Sequence, residues 1–209
     1  MSLSLAPILR SLKKEYPKPH CALIHANPFQ LLVATILSAQ CTDERVNQVT
    51  PNLFKTFGSP EELAQASLSE VEEIIRSTGF YRQKAKSLIH SSRLLMAHYG
   101  GVVPQTMNEL LQLRGVARKT ANVVLGTGYG IACGVVVDTH VKRLSKRLGL
   151  TKEIEPEKVE TDLMKMIPQK DWIWFSHALI THGRKYCRAL RPDCPTCPLR
   201  KYCPSVGTL

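Results

Sequence analysis

Leu110-Leu111-Gln112-Leu113-Arg114-Gly115-Val116-Ala117-Arg118-Lys119-Thr120-Ala121 is the stretch whose reading decides the fold. Its leucines predict a helix that runs into a short turn holding one glycine. A second helix then opens at Arg118-Lys119 and continues apolar through Asn122-Val123-Val124-Leu125. The first N–H groups of a helix lack partners within it, and the dipole makes that end positive. Two helices joined by so tight a hairpin therefore offer a seat for a phosphate. Lys119 falls in the first turn of the second helix, and Asp138 follows the apolar run Val135-Val136-Val137. An amine and a carboxylate in these positions suggest Schiff-base chemistry on DNA.

On either side the chain reads as helix after helix, with no alternating strand pattern and no Asn-Gly hairpin. Residues 3–15 form an amphipathic helix closed by Pro17 and Pro19. Asn27 caps a helix that has Pro28 in its first position, and Thr42-Asp43 caps another. Ser59 to Glu62, Ser69 to Glu72 and Thr106 to Glu109 each fit a capping box. A long basic helix runs from Tyr81 to Tyr99 and stops at Gly100-Gly101. Beyond Asp138 the pattern predicts helices over Val141 to Leu148, Glu157 to Ile167 and Asp171 to Thr181, then a proline-rich loop. The fold class is all-α.

The 209 residues suffice for one large domain or two small ones with a proper core. Lys and Arg number 28 against 17 Asp and Glu, a net charge of +11. That excess points to a polyanion as partner, nucleic acid before membrane, although a solvated basic surface would give the same number. No apolar run has the length of a membrane span, and Met1-Ser2-Leu3-Ser4 carries no signal-peptide pattern. The expectation is a chain that stays in the cytoplasm.

Of seven cysteines, Cys21, Cys41 and Cys133 are scattered, whereas Cys187, Cys194, Cys197 and Cys203 crowd the end with spacings of six, two and five residues. Four thiolates so close can converge on one metal centre. A single Cys-x2-Cys pair with wide flanking spacings suits the footprint of a cubane better than that of zinc, without excluding zinc. A disulfide pair is disfavoured in a reducing compartment. Other candidates have plain alternatives. A lysine in a helical first turn is usually solvated, and only about one in 2,500 is a free amine at pH 7 unless its pKa is depressed. The positive helix end, neighbouring Arg118 and partial burial would each depress it. Asp138 has an ordinary use as the N-cap of the helix that follows. Gln40 and His140 are weak signals taken alone.

Together these residues resemble bacterial-type endonuclease III, a family of DNA glycosylases with lyase activity in the helix-hairpin-helix superfamily. The resemblance rests on Leu37 to Asp43, Gly79-Phe80-Tyr81 with Lys84-Ala85, Gly115 with Arg118 to Val123, Val137 to His140, His182-Gly183 and the four cysteines. It implies two helical lobes with a DNA-binding cleft between them. One is a helical barrel over residues 21–131 with the hairpin at about 106–130. The other joins residues 1–20 to 132–209 and carries a 4Fe–4S cluster on Cys187, Cys194, Cys197 and Cys203. It further implies a monomeric, nucleoid-associated bacterial protein whose partner is double-stranded DNA holding a damaged base or abasic site.

In such a protein Lys119 attacks the sugar of an extruded nucleotide, Asp138 stabilises the charge, and β-elimination cuts the strand. Gln40 would fill the vacated space, Phe80 would wedge into the opposite strand, and His140, Arg114, Gly115, Ala117 and Arg118 would contact DNA. The implied lesions are oxidised or ring-saturated pyrimidines. The hairpin departs from the family pattern at two points, Arg114 for proline and Ala117 for the second glycine. If position 117 needs positive φ or close approach to phosphate, alanine costs about 1 kcal/mol and weakens binding, which Arg114 would partly offset. Two alternatives remain at this point: a glycosylase without lyase activity, and a non-catalytic binder of damaged DNA.

Overall fold

The structure, a computed structural model, describes residues 5–208; Leu3 and Ser4 of the first predicted helix lie outside them. Every regular element among the described residues is helical. The chain folds as two compact units: Cys21–Cys133, and the segment up to His20 together with everything from Gly134.

The continuous unit is built around α2 (Pro28–Leu37), whose Phe29 and Leu31 to Leu37 are all buried. A helix apolar on every face has to be surrounded. It is enclosed by α3 (Asp43–Thr56), α6 (Tyr81–Tyr99), α8 (Arg118–Val123) and the wide turn Val124–Gly128 that prolongs α8. Between them α4 (Pro60–Gln65) and α5 (Leu68–Ile75) pack on α6. Leu32, Ile36, Val46, Leu53, Leu63, Val71, Leu88 and Leu95 are central to the resulting core.

The helix starts are set locally. Asn27 and Thr42 accept hydrogen bonds from Gln30 N and Arg45 N, and Ser59 and Glu62 cap reciprocally. The box expected at Ser69 forms two residues earlier: Ser67 accepts from Glu70 N and donates to its carboxylate at 2.6 Å. Starting there puts Val71 and Ile75 on the buried face. The hairpin's first helix, α7, is only Met107–Leu110; Leu110 and Leu113 are buried while Leu111 points outward.

In the discontinuous unit α1 (Leu5–Glu15) buries Ile8 and Leu12, α9 (Thr139–Arg147) buries Val141 and Leu144, and α10 (Pro156–Met166) buries Val159 and Leu163. The last helix, α11 (Trp172–Lys185), buries Phe175, Ala178 and Leu179. Trp174 donates to the Tyr16 carbonyl at 2.8 Å, and Lys185 pairs with Glu15 at 2.9 Å, so the N-terminal helix is tied to α11. α11 runs four residues past its predicted end, because Gly183 lies inside it. A Cβ there would stand 2.7 Å from His140 Nδ1 and 3.0 Å from His140 Cβ. Glycine is what lets α9 and α11 approach.

Gly183→Ala should therefore destabilise the protein by about 1–3 kcal/mol through overpacking, seen as a lower melting temperature. An unchanged melting temperature would mean that the helix pair has room to spare.

Candidate functional site

The hairpin turn is seated on serines. Gly115 has φ +83°, and a Cβ on it would lie 3.1 Å from Ser87 Cβ and 3.5 Å from Ile36. Ser91 donates to the Arg114 carbonyl at 2.9 Å, so Ser87 and Ser91, one turn apart on α6, make the bed in which the turn lies. Leu113 and Val116 point inward, leaving Arg114, Gly115, Ala117 and Lys119 exposed and Arg118 half-buried. Ala117 is the N-cap of α8 with φ −97° and provides no side-chain cap. The strain considered for position 117 is therefore absent, since the backbone there is extended and open to any residue. What remains of that expectation is the bulk of a methyl group beside an approaching phosphate. The partial burial expected of Lys119 is also absent.

Gln40 and Phe80 belong to the same unit and share a backbone peculiarity. They are the only non-glycine residues with positive φ among those described, at 52° and 46°. Left-handed backbone costs a side chain roughly 1–2 kcal/mol, so each must be held by its surroundings. Both side chains are exposed, Phe80 at 68%. The two loops adjoin, for a Cβ on Gly79 would meet the Gln40 carbonyl at 4.0 Å. Beneath them Lys84 is buried and donates to the carbonyls of Leu37 and Thr78, each at 2.7 Å. Burial lowers its pKa. Sequence reading noted Lys84 without giving it a use. Its helical phase with buried Leu88, Ser91 and Leu95 was the signal that it points inward.

In the other unit Asp138 is the N-cap of α9 and accepts from Val141 N at 2.8 Å. His140 is half-buried against Arg143, whose Nη2 lies 3.1 Å from His140 Nδ1. Burial lowers the His140 pKa, as do Arg143 and Arg184, against an opposing pull from Asp138.

One turn apart on α9, Arg143 and Arg147 organise the cysteine loop. Arg143 donates to the Cys187 carbonyl at 2.9 Å; Arg147 donates to Cys187 Sγ at 3.3 Å and to the carbonyls of Arg188 and Ala189. Neither arginine was singled out from sequence, though their i, i+4 spacing on a basic helix was visible.

Cys187, Cys194, Cys197 and Cys203 are free thiols that line one recess, walled by Leu144, Leu148, Leu199 and Val206. They surround it without converging on a point: no group of three or more His, Cys, Asp or Glu side chains among the described residues is gathered to hold one ion. His182, buried and pushed down to about 4 by that burial, meets Cys197 Sγ at 3.3 Å and Tyr16 OH at 3.1 Å. Burial pushes the Cys197 thiol up to about 11 and raises that of Cys203. An all-sulfur donor set with N–H donors aimed at it fits an iron–sulfur cluster.

No helix among the described residues is long and apolar enough to cross a membrane. Residues 33–169 match the model of the HhH-GPD superfamily base excision DNA repair proteins. The endonuclease III of Synechocystis is 57% identical over 95% of this chain and 91% of its own. Two solved structures superpose with a TM-score of 0.91 at 44% identity, covering 96% of this chain and 94% of theirs. One is a non-covalent endonuclease III–DNA complex. The other is a trapped endonuclease III–DNA covalent intermediate described as an estranged-adenine complex.

The hairpin geometry separates two neighbouring positions. Gly115→Ala should cost about 1–2 kcal/mol in chemical denaturation, from its left-handed backbone and the contact with Ser87. Ala117→Gly should leave stability unchanged or raise it by up to about 1 kcal/mol, because glycine is the better of the two residues at an N-cap. Equal effects at the two positions would contradict this assignment.

Proposed function

The chain belongs to the endonuclease III family within the HhH-GPD superfamily of base excision DNA repair proteins, and we propose that it excises oxidised or ring-saturated pyrimidines from duplex DNA through a lysine imine. It acts in base excision repair as a bifunctional glycosylase and lyase. The likeness to a chain trapped as a covalent intermediate with DNA carries this reading, since such an intermediate requires a nucleophile. Lys119 supplies it: the residue is exposed in the first turn of α8. Lys84, the buried alternative, has its amine engaged by two carbonyls.

In this reading the Lys119 amine attacks C1′ of an extruded nucleotide, and the base departs with the glycosidic electron pair and takes up a proton. Asp138 stabilises the positive charge on the sugar and accepts the proton that Lys119 gives up. Its capping bond to Val141 keeps the carboxylate fixed, so one residue starts α9 and serves the reaction. The C1′–O4′ bond of the resulting aminal opens as the nitrogen forms the protonated imine and O4′ takes up a proton. The imine acidifies C2′; loss of that proton expels the 3′ phosphate and cuts the strand. Hydrolysis of the imine then frees Lys119. Gln40 and Phe80 occupy the space left in the duplex. Arg114, Gly115, Ala117, Arg118 and His140 contact the DNA.

Cys187, Cys194, Cys197 and Cys203 would hold a 4Fe–4S cluster. Bound there, the cluster would supply a covalent brace for the loop and, in principle, a redox centre. The loop's own residues do the rest: Arg147 offsets thiolate charge, and Arg143 and Arg147 fix the backbone from Cys187 to Ala189.

Borohydride trapping on abasic-site DNA should give a covalent adduct that Lys119→Ala abolishes, with base release falling at least about a hundredfold. Asp138→Asn is the sharper companion. Asparagine caps a helix as well as aspartate does, so stability should hold while excision slows about a hundredfold or more. Excision within threefold of the parent would remove Asp138 from the mechanism. Metal analysis of the purified protein should find iron and acid-labile sulfide in equal amounts, both lost in Cys197→Ser. Zinc without sulfide would replace the cluster by a single-ion site.

A further inference from the structure

Gln40 and Phe80 are separated by forty residues, yet both stand in left-handed backbone at the tips of adjoining loops. Nothing in their own side chains fixes that conformation, as both are exposed. What the loops share is Lys84. Its ammonium is buried and donates to the carbonyl that ends α2, at Leu37, and to the carbonyl of Thr78 at the close of the short 3-10 turn Arg76–Thr78. Gln40 lies three residues beyond the first carbonyl and Phe80 two beyond the second. The backbone N–H of Lys84 also bonds to the Phe80 carbonyl at 3.1 Å, so the residue grips that loop at two points. Ser38 donates to the Thr35 carbonyl, and Thr78 to the Ile75 carbonyl, which stiffens each anchor in turn.

We propose that Lys84 is a positioning residue for nucleotide extrusion: its two bonds hold the Gln40 and Phe80 loops together so that both side chains enter the duplex at once. The inference rests on the functional reading above, in which Gln40 and Phe80 occupy the vacated stack. A buried lysine is an expensive way to join two loops. An ammonium nonetheless brings three donors on a stem long enough to reach two carbonyls from a neighbouring helix, in less space than the planar fork of a guanidinium. An apolar residue of the same length would fill the space and leave the loops untethered. Lys84 takes no part in bond making, so its loss should be felt where extrusion limits the reaction and nowhere else.

The test compares two substrates using the full-length protein. Lys84→Met should slow single-turnover release of thymine glycol from duplex DNA about ten- to a hundredfold, the effect expected of misplaced insertion side chains. Imine trapping on a single-stranded abasic oligonucleotide, which needs no extrusion, should stay within about threefold. In a background carrying Gln40→Ala and Phe80→Ala, the same change should add less than about twofold, because the groups it positions are gone. Equal losses on both substrates, or a fully additive loss in that background, would reduce Lys84 to a support of the fold and overturn the proposal. Should Lys84→Met not fold, Lys84→Gln decides on the same terms, since its amide keeps donors for one carbonyl; it should show a smaller loss confined to duplex. A parent protein that forms no imine at all would sink the functional reading instead, whatever Lys84 variants do.

Discussion

A helix with no polar side has to be enclosed, and α2 sets that requirement for the whole of its unit. Phe29 and Leu31 to Leu37 are buried around the full circumference, so α3, α6, α8 and the turn beyond it have to close over them. The parts proposed to meet DNA are by-products of that enclosure. The hairpin turn reaches α2 through Gly115, at Ile36. The Gln40 loop is the exit from α2 itself, and Lys84 returns from α6 to the final carbonyl of that helix. Burying one apolar rod thus sets the position of the hairpin turn and the Gln40 loop, and through buried Lys84 that of the Phe80 loop.

The second unit is organised by charge. Two basic residues of α9, Arg143 and Arg147, meet the cysteine loop through its main-chain oxygens and one sulfur, while Lys142 and Lys146 face solvent. A loop with four prolines, whose own backbone bonds are almost all short-range turns, gains its place from such external ties. Gly183 makes them possible by letting α11 come close enough for His140 and Arg143 to pass beside it.

Much of this was legible in the residues, and the exceptions have physical causes. The caps at Asn27, Thr42 and Ser59 were readable because an N-cap is a local bond spanning three residues. Ser67 and Ser69 both precede a glutamate at the right distance, and only the burial of Val71 and Ile75 chooses between them. The helix expected to end at Thr181 runs on through Gly183, and that this glycine serves close packing depends on a helix forty residues away. The widened turn at Val124–Gly128 changes which carbonyl each amide meets, and no side-chain pattern reports that. The exposure of Lys119 and the extended backbone at Ala117 likewise follow from how the turn lies on Ser87 and Ser91, which sequence spacing does not encode. The cysteines were plain from spacing, whereas the arginines that hold their loop were hidden among many other cations.

The partners of Lys84 are main-chain oxygens, and this has an evolutionary consequence. Residues 37 and 78 can change identity without loosening the tether, provided the backbone keeps its course. Selection on the arrangement would then fall on one position alone, with no compensating exchange at the other end. Methods that look for correlated substitution would pass over it, and an architectural joint of this kind becomes visible only where atoms are placed in space.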